Sequence, residues 1–178
     1  ATVDESSLRD LTALTRQPGP AKPLFTPRVG AGKDDGMNAT AEKFGYPDSV
    51  LKRFEHWLVQ LRPAQPTLGS LVLVCTDTAA NFGAISAEAG RELPQAAAEI
   101  ERVLGEAFGF EKINYLMLMM VDPDVHFHVL PRYSADRAYA GRTFVDAAWP
   151  GPPDIKAANP FDAEVKAELT ADLKARFG

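Results

Sequence analysis

The sequence predicts an α+β domain, an antiparallel sheet with helices packed on it. Three observations point there. Two strand-like runs, HWLVQLR (56–62) and LVLVC (71–75), flank a loop rich in turn residues. A long segment with an apolar stripe at helical spacing follows. Two further strand-like runs then meet at a turn around Asp122-Pro123. Strands and helices in this mixed order argue against the regular alternation of a parallel doubly wound sheet.

Taken in order, residues 1–45 read as an extended arm or a short helix around Leu8, Leu11 and Leu14. The run QPGPAKPLFTPRVGAGKDDG has little periodicity, and Leu24 and Phe25 would anchor it on a partner. Residues 46–178 form the domain. Asp48 either caps a short helix through Val50 and Leu51 or leads into a strand. LVLVC is continuously apolar, as in a strand buried on both faces, and makes Cys75 a small buried hydrophobe. Ser86 is suited to capping a helix that ends near Gly109. Its stripe is Leu93, Ala97, Ile100, Leu104 and Phe108, and Pro94 would interrupt it or open a second segment. INYLMLMM (113–120) reads as a strand whose partner is VDPDVHFHVLPRY. A Pro-rich WPGPPD loop precedes a last helix over about 162–177, with Val165, Leu169, Leu173 and Phe177 on one face.

Composition narrows the function classes. A chain of 178 residues with 46% apolar and 24% charged residues fits one soluble domain with a core of its own. The net charge of −5 argues against binding nucleic-acid polymers or membrane surfaces, which call for basic clusters. The single cysteine excludes an intrachain disulfide and suits a reducing compartment, so a cytoplasmic location is expected. The opening ATVDESSLRD is unlike a secretory signal, and no run approaches a membrane-spanning length.

Two of the three histidines fall two residues apart in VDPDVHFHVLPRY. Side chains two apart on a strand share a face, so Asp124, His126 and His128 would line one side and Val125, Phe127 and Val129 the other. The set suits proton transfer, phosphate contact or metal ligation, and Arg132 would add a cation beside it. An idle edge strand is the plain alternative. Ligands at i, i+2 and i+4 on a flat strand converge poorly on one metal ion, which disfavours a facial iron site. A neutral imidazole can instead attack phosphorus to form a covalent intermediate, if a neighbour fixes its second nitrogen and donors meet the phosphate oxygens.

HFHVLPRY, preceded by Asp124, resembles the motif of the histidine triad (HIT) family, in which three histidines alternate with apolar residues. HWLVQLRPAQPTLGSLVLV, ERVLGEAFG and KINYL resemble the same family in order and spacing, so the likeness spans about 54–133. It implies a HIT-like domain over 46–178, a homodimer, and a nucleotide substrate cleaved or transferred at its α-phosphate. His126 matches the nucleophilic histidine and His128 the third one, which contacts the phosphate. Asp124 stands where the family has its first histidine. Trp57, Val59, Gln60 and Leu71 would wall the base and ribose, and Trp149 would be a lid or surface packing. No metal is implied for the covalent step, although a divalent cation could accompany a polyphosphate substrate.

The departures set further expectations. The Asp124 carboxylate would fix a histidine tautomer while raising the pKa of a nearby imidazole. Met119 and Met120 occupy the place of a polar phosphate loop. Two readings follow: a HIT-type nucleotide hydrolase or nucleotidyltransferase acting on dinucleoside polyphosphates or nucleoside phosphoramidates, or a non-catalytic nucleotide-binding or interaction protein on that scaffold.

Overall fold

The computed structural model describes residues 38–178. The expected arm lies mostly outside the described residues, Leu8, Leu11, Leu14, Leu24 and Phe25 included. Its last part belongs to the folded body, which therefore starts before Tyr46. Helix α1 (Ala39–Lys43) is capped by Asn38, whose side chain accepts from the Ala41 N–H and donates to the Cys75 carbonyl at 2.7 Å.

Strands β1 (Val50–Arg53), β2 (Trp57–Leu61), β3 (Leu71–Cys75), β4 (Lys112–Leu116) and β5 (His126–Arg132) form one antiparallel sheet in the order β1-β2-β3-β5-β4. Asp48 thus leads into a strand. A second hairpin pairs β6 (Arg137–Tyr139) with β7 (Arg142–Phe144). β3 is central and fully buried, as its unbroken apolar run requires.

Helix α2 (Ala87–Phe108) starts at Ser86, whose hydroxyl accepts from Ala89 N–H, and ends at Gly109 in the left-handed region. It runs unbroken through Pro94. Pro94 and Gly90 are both exposed, so the carbonyl that the proline leaves without a partner meets solvent. The buried stripe is Ala89, Ala96, Ile100, Val103 and Leu104, slightly rotated from the expected one. Helix α3 (Ala163–Phe177) buries Val165, Leu169, Leu173 and Phe177 as its spacing predicts. Both helices cover the sheet face that carries Trp57, Val59, Leu61, Leu71, Leu73 and Val129. None of the helices among the described residues is long and apolar enough to cross a membrane.

The β2–β3 loop is held closely. Gly69 has φ +79, and a Cβ there would stand 2.8 Å from the Phe108 ring. The Tyr133 hydroxyl donates to the Leu68 carbonyl at 2.8 Å. Asn159 donates from its side chain to the Gln65 and Pro66 carbonyls, which ties the segment after β7 back to this loop.

β4 stops at Leu116, opposite His128. The remainder of the expected strand, Met117 to Met120, leaves the sheet and turns at Met119 to Val121, ahead of the expected Asp122-Pro123, where proline has no N–H for a ladder. Met120 is 91% and Val121 82% exposed.

Candidate functional site

The opposite sheet face carries the histidines. Register places Leu58, Val74 and His126 in one row across β2, β3 and β5, and Gln60, Val72 and His128 in the next. Alternation on β5 sends Phe127 the other way, where its ring lies 6.0 Å from Trp57 and 5.8 Å from Phe82. α1 covers the histidine face. The Phe44 ring centroid lies 6.0 Å from that of His126 and 5.7 Å from that of His128, and the two imidazoles are 5.1 Å apart, edge to face.

Among the described residues the His126 imidazole has one hydrogen bond, 2.7 Å between Nδ1 and the main-chain oxygen of Asp124. A carbonyl only accepts, so Nδ1 carries a proton, and in the neutral imidazole the lone pair is then on Nε2. Nε2 is buried without a hydrogen-bond partner among the described residues, as is Nδ1 of His128. Burial, then the neighbouring His126, Arg62 and Lys43, hold the His128 pKa down to about 4, with Asp122 opposing, so His128 is neutral at pH 7.

Asp124 departs from the expectation in place and in effect. It lies in a bend before β5, and its carboxylate turns to α1. Oδ2 accepts from the Thr40 N–H at 3.1 Å and the Thr40 hydroxyl at 2.9 Å, while the Asp124 N–H donates to that hydroxyl at 3.2 Å. The tautomer of His126 is set by the Asp124 backbone, which any residue supplies. Nor is the neighbouring His128 raised; its pKa falls.

The expected base wall separates. Gln60 shares the histidine face, donating to the Ala41 carbonyl and the Ser49 hydroxyl, with Oε1 unpartnered among the described residues. Trp57, Val59 and Leu71 are fully buried on the other face, and Trp57 Nε1 donates to the Ala89 carbonyl of α2. The reason is strand alternation: only Leu58 and Gln60 of β2 share a row with the histidines. Arg132 is no free cation either. It is buried in a fork with Asp146, bonded also to Asn114 and Gly151. Trp149 stands away from the histidines, lining a separate cleft of about 650 Å³ with Lys112, Asn114 and Arg132.

Sequence reading missed Lys43, Phe44 and Arg62. A groove of about 420 Å³ opens at His128, bordered by Phe44, Met120, Asp122 and these two cations. Lys43 pairs with Asp122, and Arg62 donates to the Ala64 and Ile155 carbonyls while its Nε has no partner among the described residues. The signal available was only a cation at the end of β2 and one before the Phe44-Gly45 turn. Among the described residues, no group of three or more His, Cys, Asp or Glu is placed to hold a metal ion. The groove offers cations, a neutral imidazole and apolar walls, which suits a phosphorylated ligand with a hydrophobic part.

No protein-family model matches the sequence, and no curated protein matches it. Solved structures do. A histidine triad protein from Marinobacter aquaeolei matches with a TM-score of 0.63 at 23% identity, over 80% of this chain and 97% of that one. One from Sinorhizobium meliloti gives 0.62 at 20% identity, over 79% and 96%. A hypothetical histidine triad nucleotide-binding protein from Sulfolobus tokodaii gives 0.56 at 13% identity, over 72% and 83%. With α1, the five-stranded sheet and the paired histidines in view, the chain has the HIT-like α+β fold of the histidine triad proteins.

Proposed function

We propose that the protein is a HIT-type nucleotide hydrolase or nucleotidyltransferase acting through a covalent nucleotidyl-His126 intermediate. The observation that carries this is the Nδ1–H bond from His126 to the Asp124 carbonyl, which leaves Nε2 as the nucleophilic lone pair. Nε2 attacks the α-phosphorus; the N–P bond forms as the bond to the leaving group breaks. Water or another acceptor then attacks phosphorus, breaks the N–P bond and frees His126. His128, Arg62 and Lys43 face the phosphate oxygens as charge develops. The substrates are dinucleoside polyphosphates or nucleoside phosphoramidates. The covalent step needs no metal, and a divalent cation would arrive with a polyphosphate substrate. The nucleotide-binding description of the Sulfolobus tokodaii neighbour supports the ligand class.

The test is incubation with a panel of such nucleotides, following AMP or GMP release and mass spectrometry of the His126 peptide. Turnover with a nucleotidylated His126, abolished in His126→Ala, is the expected result. No turnover and no adduct on any nucleotide would remove the enzymatic reading.

One observation favours a second reading, nucleotide binding without chemistry: His126 is fully buried behind Phe44. Calorimetric binding of the same nucleotides without release of product would select it. We also propose a homodimer in the cytoplasm. β4 is an edge strand, and the exposed Met117, Leu118, Met120 and Val121 extend from its end, a surface suited to a second copy. Buried Cys75, the lone thiol, fits a reducing compartment.

A further inference from the structure

We infer that Asp124 is a positioning residue that works through Thr40: its carboxylate clasps α1 and so seats Phe44 over His126, making α1 the gate to the nucleophile. The inference rests on the reading of His126 as the reacting group. It begins from a conflict inside the site. A nucleophile must meet its substrate, yet His126 is 0% exposed, and the groove reaches only His128. The Phe44 ring, at the C-terminal end of α1, lies against both imidazoles.

Two carboxylates from the loop before β5 hold that short helix at its two ends. At the start, Asp124 and the buried Thr40 make three hydrogen bonds of 2.9 to 3.2 Å across 84 residues of sequence. At the end, Asp122 pairs with Lys43, whose side chain is half exposed. Asn38 tethers the helix separately to β3 through the Cys75 carbonyl. Releasing the Asp124 and Asp122 contacts therefore frees the Phe44 end, while Asn38 and the Gln60 bond to the Ala41 carbonyl keep the helix attached. A helix of five residues has little stability of its own, so its packing on the sheet and these contacts together decide where it lies. The Lys43 ammonium also faces the groove, where a phosphate competes with Asp122 for it. A phosphorylated ligand thus loosens the clasp that hides His126.

Reactivity with diethyl pyrocarbonate, read by mass spectrometry at each histidine, tests the gate without any nucleotide. His56, in contact with Asp77 and remote in sequence from the clasp, is the internal standard. In the wild type His126 should react at least tenfold more slowly than His56. Thr40→Val and Asp124→Ala, which remove the clasp, should speed His126 at least fivefold and leave His56 unchanged. Thr40→Ser and Asp124→Asn keep the hydroxyl and an accepting oxygen and should retain the wild-type rate, a rescue that general loosening of the fold would not give. Phe44→Ala should expose His126 with the clasp intact, so the cover is tested even if a clasp variant fails to fold. Wild-type His126 reacting as fast as His56, or a slow His126 in both folded Phe44→Ala and a folded clasp variant, would overturn the inference. Because no turnover is measured, either result is independent of whether the protein cleaves nucleotides.

Discussion

Arg132 and Asp146 form a buried two-point fork, with Nε 2.6 Å from Oδ2 and Nη2 3.1 Å from Oδ1. Their side chains are only 4% and 3% exposed. The fork pins the segment after β7 to the last residue of β5, and the same guanidinium reaches Asn114 of β4 and the Gly151 carbonyl. Removing one partner strands a buried charge, so Asp146→Ala is expected to lower stability by about 3–5 kcal/mol. Urea unfolding at neutral pH measures it. Replacing both partners, Arg132→Met with Asp146→Leu, should cost less than Asp146→Ala alone; an equal or larger loss would contradict the account.

His128 makes stability depend on pH. Its folded pKa, about 4, lies below the ordinary 6.5, so the unfolded chain takes up the proton first as pH falls. Stability from this group is full above about 6.5, declines between 6.5 and about 4, and falls no further below that. The loss is on the order of 3 kcal/mol. Unfolding free energies at pH 7, 5.5 and 4 should show a shallower slope in His128→Gln than in the wild type. Parallel slopes would mean that another group carries the dependence.

Gly69 should tolerate no side chain. Both φ +79 and the approach of the Phe108 ring oppose a Cβ. Gly69→Ala is expected to cost about 1–3 kcal/mol. Gly141, at φ +68 with open space around its Cβ position, separates the two causes. Gly141→Ala pays only the backbone strain and should lower the melting temperature less.

The edge of β4 and the loop beyond it should carry the contact between two copies. Sedimentation velocity is expected to show a dimer for the wild type and a monomer for Met120→Asp combined with Val121→Asp, without loss of folded signal. A monomeric wild type at micromolar concentration would end the proposal.

Residue order alone determined β2, β3, β4 and β5 and the two long helices, while β1 stayed open between helix and strand and the β6–β7 hairpin went unread. The LVLVC run, the Ser86 cap, the Gly109 stop and the spacing of Val165, Leu169, Leu173 and Phe177 each state a local preference that the fold keeps. Period-two alternation likewise put His126 and His128 on one face. The pairing register decided what that face meets. Trp57, Val59 and Leu71 lie in strands named correctly from the sequence but face α2 and α3, because a face is assigned only when strands pair. Tertiary structure also decided where the Asp124 carboxylate binds. Its partner Thr40 is 84 residues away, in a segment whose sequence has little periodicity. Five residues of helix carry too weak a pattern to announce themselves, and only packing on the sheet gives them a place.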